Sequence, residues 1–535
     1  VRSTNFFVSL LLVAAPLLAD PRADRWREDL AYLRDELRAR HANVFHALTP
    51  RDYEQGFADL ERRVPQLRDD QIVVEIARLA ARIGDGHTGV FFFSNRGNFP
   101  HRQLPIELYA ATDGWLILAT DSEHRELIGS QLLKIGSADP DAVFSAVAPL
   151  MPRDNDESLR GRAGRWMVMA ELLQTLGFVE KADDVPLVVE CADGERKTVM
   201  MHPVSRNARI DWKTASEPLW LTDRSTKYWM RYLDESHILF IQFNSADIAT
   251  GSPEKEFASF ASSIVDAVAH HHPEKVIVDL RWNHGGSFER TRYLLWALIR
   301  ADEVNREGKL FVLLSPGTFS AAVSLATELD QHTNALFVGE VPGSAPNSYG
   351  DLGRLFPPNS GIEVRYSRYY DGQSLPDDTR PAIYPDLRAP LSIADYRAGI
   401  DPAMTAVQEY APRTPISEIL LPIALQENGA AAIARYRQLE RSSYNRYSWS
   451  PQELDRVASH LQDAQRLADA LLLYRFNSEQ HPWWAWGHAR LGYALLAQGE
   501  RDAGMKEYLR AFELDKRMTY YRDELRKPGE HHETR

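Results

Sequence analysis

The chain has 535 residues, 44% of them hydrophobic and 26% charged, which is enough apolar material for roughly two to four folded domains. Its 62 Lys and Arg stand against 75 Asp and Glu, a formal net charge of −13. A nucleic-acid footprint needs a basic patch, and this balance suggests none; solubility is what the acidity implies.

At the N-terminus Arg2 precedes an apolar run from Phe6 to Leu18, then small residues around Ala19 and the pair Asp20-Pro21. This pattern predicts a secretory signal peptide over residues 1–19, with the mature chain starting near Asp20; an uncleaved anchor is the alternative. About 13 apolar residues are too few to span a bilayer as a helix, and no long apolar segment follows, so the mature chain is expected to have no membrane span. Cys191 is the single cysteine, which excludes an intramolecular disulfide. An exported protein without disulfides suits a bacterial periplasm or the exterior.

Residues 24–95 are expected to form a helical domain, because Leu30, Leu33 and Leu37, then Ile72, Val73, Ile76 and Leu79, recur at helical spacing, with Pro50 and Pro65 at the breaks. The segment runs through Gly84-Asp85-Gly86-His87-Thr88, a turn sequence, into a short strand from Gly89 to Phe93. Residues 100–205 read as a β-rich module of short strands (Ile106 to Ala110, Trp115 to Ala119, Gln131 to Ile135) with one helix inserted around Arg165 to Leu176.

Residues 207–406 alternate strands and helices, which predicts an α/β domain with a central sheet. Its strands are expected at Ile238 to Phe243, Val276 to Leu280, Leu310 to Leu314 and Ala335 to Gly339, and its helices at Pro253 to His270, Phe288 to Arg300 and Ala321 to Asp330. Residues 413–520 are helical and repetitive: Leu461, Ala470, Tyr474 and Pro482 stand one period of about 34 residues before Leu495, Gly504, Tyr508 and Lys516, as in tetratricopeptide repeats. Such repeats dock a protein partner or another part of the same chain. The fold class is thus α/β multidomain, with a helical cap, a β-rich module, an α/β domain and all-α repeats.

The chemistry concentrates at Gly317-Thr318-Phe319-Ser320-Ala321-Ala322, where an apolar strand gives way to a helix. A hydroxyl at such a turn stands clear of its backbone, with the first helical N–H groups beside it to receive an oxyanion. A second strand ends in Arg281-Trp282-Asn283-His284-Gly285-Gly286, whose glycines let backbone N–H groups approach a ligand closely. Ser320 is therefore the candidate nucleophile, and Ala321 with Gly285 or Gly286 the candidate oxyanion donors. His87 is the best-placed base, and Asp378, in Pro376-Asp377-Asp378-Thr379-Arg380-Pro381, a candidate for the carboxylate that orients it.

Each residue also has a plainer role. Ser320 could cap its helix through Oγ, His87 could fix the join between cap and sheet, and Asp85 reads as a turn stabiliser bonding to nearby N–H groups. Asn347, Tyr349 and Asp351 read as turn formers, His284 as a loop residue and local rival for the base. His270-His271-His272 is a helix terminus whose side chains point in different directions, not a metal cluster.

The helical cap, Gly-Asp-Gly-His-Thr, a PDZ-like module with Gly129-Ser130-Gln131-Leu132-Leu133-Lys134-Ile135-Gly136, then Asp279 to Gly286, Thr318 to Ala322 and Gly339-Glu340-Val341-Pro342-Gly343-Ser344-Ala345-Pro346-Asn347 come in an order that resembles the S41 peptidase family. The resemblance covers roughly residues 25 to 405, and implies a ClpP/crotonase-like catalytic domain. In the family's tail-specific, carboxy-terminal processing branch a lysine is the base; Ala345 stands at its place. The tricorn-like branch pairs the serine with a histidine from before the PDZ-like module and with a later acidic residue, which carries over to His87 and Asp378. The expectation is an exported serine-type peptidase acting on peptides or unfolded protein through an acyl-enzyme, with no cofactor and no metal. The alternatives are an inactive S41-like protein that binds peptides or envelope proteins, and a serine esterase.

Overall fold

The structure, a computed structural model, describes residues 20–92, 102–205, 207–215, 218–247 and 253–519; the expected signal peptide and Phe93 lie outside them. Its central element is a six-stranded sheet. Leu387–Arg388, Leu336–Gly339, Leu310–Leu314, Lys275–Asp279 and Ile238–Phe243 run parallel in that order, and Tyr228–Leu233 closes the edge antiparallel. The inner strands are apolar at nearly every position because both faces are covered, which is what a parallel sheet demands. Leu239, Ile241 and Phe243 face the helices Pro253–His271, Phe288–Arg300 and Ala321–His332, while Ile238 and Phe240 face a second layer containing Leu116, Leu118 and Trp220. The period-two alternation of the strand makes that division.

The second layer is an antiparallel sheet of Ile106–Ala111, Gly114–Thr120, Gln131–Ile135, Val185–Glu190 and Arg196–Met201. Helices Pro140–Val147, Asp156–Met167 and Ala170–Thr175 lie between its third and fourth strands, a larger insertion than the single helix expected. The N-terminal helices Pro21–Arg40, Pro50–Arg63 and Asp69–Ala81 pack onto this layer in one core. Proline opens the first two, with Asp20 accepting from Arg22 N (3.0 Å) and Thr49 Oγ1 from Asp52 N (3.1 Å) as caps.

A third, three-stranded sheet was not visible as periodicity. Asn347–Leu355 and Val364–Gly372 form a hairpin, and Gly89–Val90 pairs with its second strand, Gly89 opposite Arg365. Asn347, Tyr349 and Asp351 are therefore strand residues rather than a turn. Gly350 and Gly353, and a positive φ of 56° at Asp351, where the ladder skips one pair without changing register, blur the alternation that would have marked them. This hairpin ties the end of the N-terminal helices to the central sheet.

Beyond residue 415 the chain folds into helices Ile416–Gln426, Gly429–Ser442, Pro451–Asp463, Leu467–Gln480 and Ala485–Ala497 around their own core, with Arg501–Leu514 packed on the last of them. Gly492 permits a close helix approach, since a Cβ there would fall 2.5 Å from Tyr508 and 3.0 Å from the Gly504 carbonyl oxygen. The helices dock on the α/β unit through Arg388, whose backbone exchanges hydrogen bonds with the Asn445 amide and whose guanidinium lies 3.8 Å over Tyr444. Tyr384 stacks on Trp483 nearby, at 5.0 Å between centroids. Among the described residues no helix is long and apolar enough to cross a membrane.

Candidate active site

Ser320 lies at the carboxyl end of the Leu310–Leu314 strand, in the crevice outside the sheet where open α/β folds bind ligands. Its backbone takes φ 54° and ψ −130°, a conformation that costs a non-glycine residue about 1–3 kcal/mol and persists only when its surroundings impose it. The surroundings here are two laced strand ends. Thr318 Oγ1 donates to Leu280 O (3.0 Å) and accepts from Ser315 N (3.0 Å), Ser315 Oγ donates to Arg281 O (2.8 Å), and Phe319 N donates to Asn283 O (3.1 Å). Arg281 anchors this region from below through a bidentate pair with Asp401 (2.9 and 2.8 Å) and contacts with Asp279, all buried. The Ser320 side chain makes no helix-capping bond.

Instead Ser320 Oγ lies 3.1 Å from His87 Nε2. The other ring nitrogen, Nδ1, is 3.0 Å from the backbone carbonyl of Tyr349. A carbonyl can only accept, so Nδ1 carries the proton and Nε2 is left to accept from the serine hydroxyl. The imidazole rests against Phe319, 4.8 Å between centroids. The turn beneath it is held by Asp85, whose Oδ1 accepts from His87 N (2.9 Å), Thr88 N (2.9 Å) and Ser367 Oγ (2.6 Å). Its Oδ2 accepts from His41 Nε2 (3.0 Å), a nitrogen that must carry its proton because His41 Nδ1 accepts from Asn43 N. Burial raises the Asp85 carboxyl, and the bonds from His41, Ser367 and Thr88 outweigh that and bring it to about 2. Asp85 is thus a turn stabiliser, as its place in Gly-Asp-Gly-His-Thr suggests.

The structure does not bring Asp378 to His87. Arg380, two residues on, captures its carboxylate (Nε 3.0 Å, Nη2 2.8 Å) and also pairs with Asp330 (2.8 Å). Burial raises the Asp378 carboxyl, and the bonds from Arg380 and Ser374 lower it further than burial raises it. Its backbone oxygen accepts from Asn347 Nδ2 (3.0 Å), so Asp378 braces the foot of the hairpin while the hairpin's own Tyr349 carbonyl takes the position on His87 expected for a carboxylate.

Of the oxyanion candidates, Gly285 is corrected. Its N–H donates to Asn283 Oδ1 (3.0 Å), and its contribution is close approach: with φ 103°, a Cβ there would fall 2.7 Å from Ser320 Cβ. The N–H groups of Gly286 and Ala321 have no protein acceptor among the described residues. His284 Nδ1 donates to Gly317 O (2.7 Å), in the neighbouring strand-to-helix turn. Sequence reasoning missed Asp154 and Ser344. Asp154 Oδ1 accepts from Gly86 N (2.6 Å) and Oδ2 from Ser344 Oγ (2.7 Å), and Ser344 Oγ accepts from Ser320 N (3.4 Å). Asp154 belongs to the charged run Arg153-Asp154-Asn155-Asp156-Glu157, which carries no local mark of a site.

Among the described residues no group of three His, Cys, Asp or Glu side chains is placed to hold a metal ion. The three consecutive histidines diverge, with His271 stacked on Tyr232 (4.1 Å) and His272 Nδ1 3.2 Å from Glu303.

No family model and no curated protein sequence matches the chain. Solved structures do. The chain is similar to mature CPAF complexed with lactacystin (TM-score 0.52, 12% identity, 73% of this chain and 98% of that one). It is also similar to mature CPAF alone (0.52, 14%, 73% and 97%) and to a serine-to-alanine mutant of CPAF (0.51, 13%, 74% and 99%). At these identities the likeness is one of fold, a mixed α/β multidomain architecture shared with CPAF over nearly the whole of that chain.

Proposed function

We propose that the protein is an exported serine-type peptidase of the S41 kind, hydrolysing peptide bonds through an acyl-enzyme on Ser320 with His87 as general base. The observation that carries this reading is the 3.1 Å contact of His87 Nε2 with Ser320 Oγ, made at a serine whose backbone is held in a strained conformation. The order of S41-like motifs and the CPAF-like fold support it from independent directions.

In the acylation step His87 Nε2 takes the Ser320 hydroxyl proton as Oγ bonds to the scissile carbonyl carbon. The oxyanion that forms faces the N–H groups of Gly286 and Ala321. The imidazolium, held by its Nδ1–H bond to Tyr349 O, then delivers the proton to the leaving amine, and the C–N bond breaks. Water repeats the sequence on the acyl-enzyme, with His87 again taking the proton, and Ser320 is released with a free carboxylate product. A Tyr349 carbonyl does for the tautomer what a carboxylate does in a triad, without supplying its charge.

The helices beyond residue 415 are read as tetratricopeptide-like repeats that dock a protein partner or restrain access to the site, and the compartment as periplasm or exterior. Reaction with a fluorophosphonate probe, followed by intact mass alongside turnover of an unfolded protein, tests the reading. Labelling and turnover present in the wild type and absent in Ser320→Ala and His87→Ala are expected. A wild type that neither labels nor cleaves but retains unfolded chains would replace the peptidase by the peptide-binding alternative; labelling with turnover of small esters only would replace it by an esterase.

A further inference from the structure

A serine–histidine pair whose histidine leans on a carbonyl has only a neutral dipole to stabilise the imidazolium formed in each step. Asp154 brings a charge to the same place from the other side of the turn. It accepts the N–H of Gly86, the residue before His87, and the hydroxyl of Ser344, which itself accepts the N–H of Ser320. Both groups on the carboxylate, Gly86 N–H and the Ser344 hydroxyl, donate to it, an arrangement that suits its ionised form. The fit is close: a Cβ on Gly86 would fall 2.9 Å from Asp154 Cγ and 2.7 Å from Phe319 Cζ, so glycine at 86 is what lets the carboxylate lie against this turn.

Two other charged groups lie near the pair. Asp85 bonds to His41, while Arg162 donates to the carbonyls of Gly86 (3.1 Å) and Pro152, lies 4.5 Å over the Phe319 ring and has Asp154 as the strongest negative charge acting on it. Burial, with Asp85 adding to it, leaves the Asp154 carboxyl above its ordinary value, and the charge on His87 and the bonds from Ser344 and Gly86 offset only part of that rise.

We infer that Asp154 is the electrostatic positioning residue of the Ser320–His87 pair: through Gly86 and Ser344 it holds the base's turn and the nucleophile's amide in register, and it favours the imidazolium of His87 without bonding to the ring. The inference rests on the Ser320–His87 reading of the function. It assigns to a residue of the helical insertion the charge that Asp378 does not supply.

The test is the pH dependence of the fluorophosphonate labelling rate of the full chain, which reports titration of the base without need of a substrate. Loss of a neighbouring negative charge destabilises the imidazolium, so the midpoint of the rise in rate should move to lower pH. Asp154→Asn is expected to lower the plateau rate by about tenfold or more and to move the midpoint down by about half a unit or more. Ser344→Ala, which breaks the link and leaves the charge, should lower the rate with the midpoint in place, and Asp154→Glu should restore the wild-type midpoint. A folded Asp154→Asn protein whose midpoint coincides with that of the wild type would overturn the inference while leaving the peptidase reading intact. A wild type that does not label overturns that reading and with it this one. Should Asp154→Asn not fold, Asp154→Ser, smaller and still able to accept from Gly86 N, is measured in its place against the same two expectations.

Discussion

Ser320 is aimed by residues close to it in one sheet, whereas His87 is aimed by residues from across the chain. The turn of Ser320 is laced to the neighbouring strand end by Ser315, Thr318 and Asn283, consecutive pieces of a parallel α/β unit. His87 has no regular element behind it: its ring bonds to Tyr349, 262 positions away, and the Asp85 that holds its turn accepts from Ser367, 282 positions away. In the proposed roles, the serine is thus prepared by local topology, and the histidine by closure of the whole fold. Changes on the serine side should strike chemistry in a protein that still folds. Changes on the histidine side should strike stability first and chemistry through it.

The sharpest break on the serine side is Ser320→Ala, for which a loss of about 10⁴-fold or more in turnover is expected with the melting temperature little changed, since alanine keeps the same Cβ and backbone conformation and loses only the hydroxyl's contact with His87. Gly285→Ala comes next. Its methyl would meet Ser320 Cβ at 2.7 Å on a backbone with φ 103°, so either the nucleophile or the glycine loop must move. A displacement of that size costs about a hundredfold in kcat/KM. Steady-state kinetics with circular dichroism on the same samples separates this loss from unfolding, and a Gly285→Ala protein of full activity would show that the loop does not constrain Ser320.

On the histidine side the expected effect is smaller and appears as acid sensitivity. Asp85 titrates at about 2 in the folded protein against 3.8 for an unperturbed aspartate. A carboxyl lowered by folding contributes stability that is full above the unfolded value and is lost as pH falls through the folded one, so the loss belongs between about pH 4 and pH 2. The difference corresponds to about 2 kcal/mol at neutral pH. Urea unfolding at pH 7 and pH 3 should show this drop in the wild type. Asp85→Asn should be less stable at pH 7 by an amount of that order and should show a shallower dependence on acid; an equal acid dependence in the two proteins would remove Asp85 from the account.

The same contrast governs what the sequence disclosed. The strand-to-helix turn of Ser320, the glycines after Arg281 and the alternation of the central sheet are local patterns, and each stands in the structure where the pattern put it, within a residue or two at the element ends. Gly285 departs from its pattern in one respect only, because which N–H of a glycine pair is left free depends on where the Asn283 side chain turns. The base side was legible only as a histidine in a turn. Its partner there is a main-chain carbonyl, an atom every residue possesses, and its neighbouring charge comes from a helical insertion with an ordinary run of charged residues. Asp378 shows the converse. It has the right residue type at a plausible distance along the chain, but Arg380 lies two positions on and offers a planar, bidentate partner that a distant imidazole cannot match.

That misassignment makes Asp378 the finest test of the comparison. If the carboxylate braces the hairpin and does not act on the base, Asp378→Asn should leave the midpoint of the pH–labelling curve where it is and change kcat/KM by less than about threefold, because Tyr349 O still meets His87 Nδ1. The loss should be one of stability. Asp378 is partly buried and its bonds to Arg380 are charge-assisted, so removing the charge costs about 1 kcal/mol, and Arg380 retains Asp330. A fall in kcat with a shifted midpoint would mean that the carboxylate reaches the imidazole in the working enzyme, and the base half would then be wired through the hairpin's foot as well as through its strand. Unchanged kinetics with a small loss of stability would place the whole of the base's alignment in the Tyr349 carbonyl and in the turn that Asp85 and Asp154 hold.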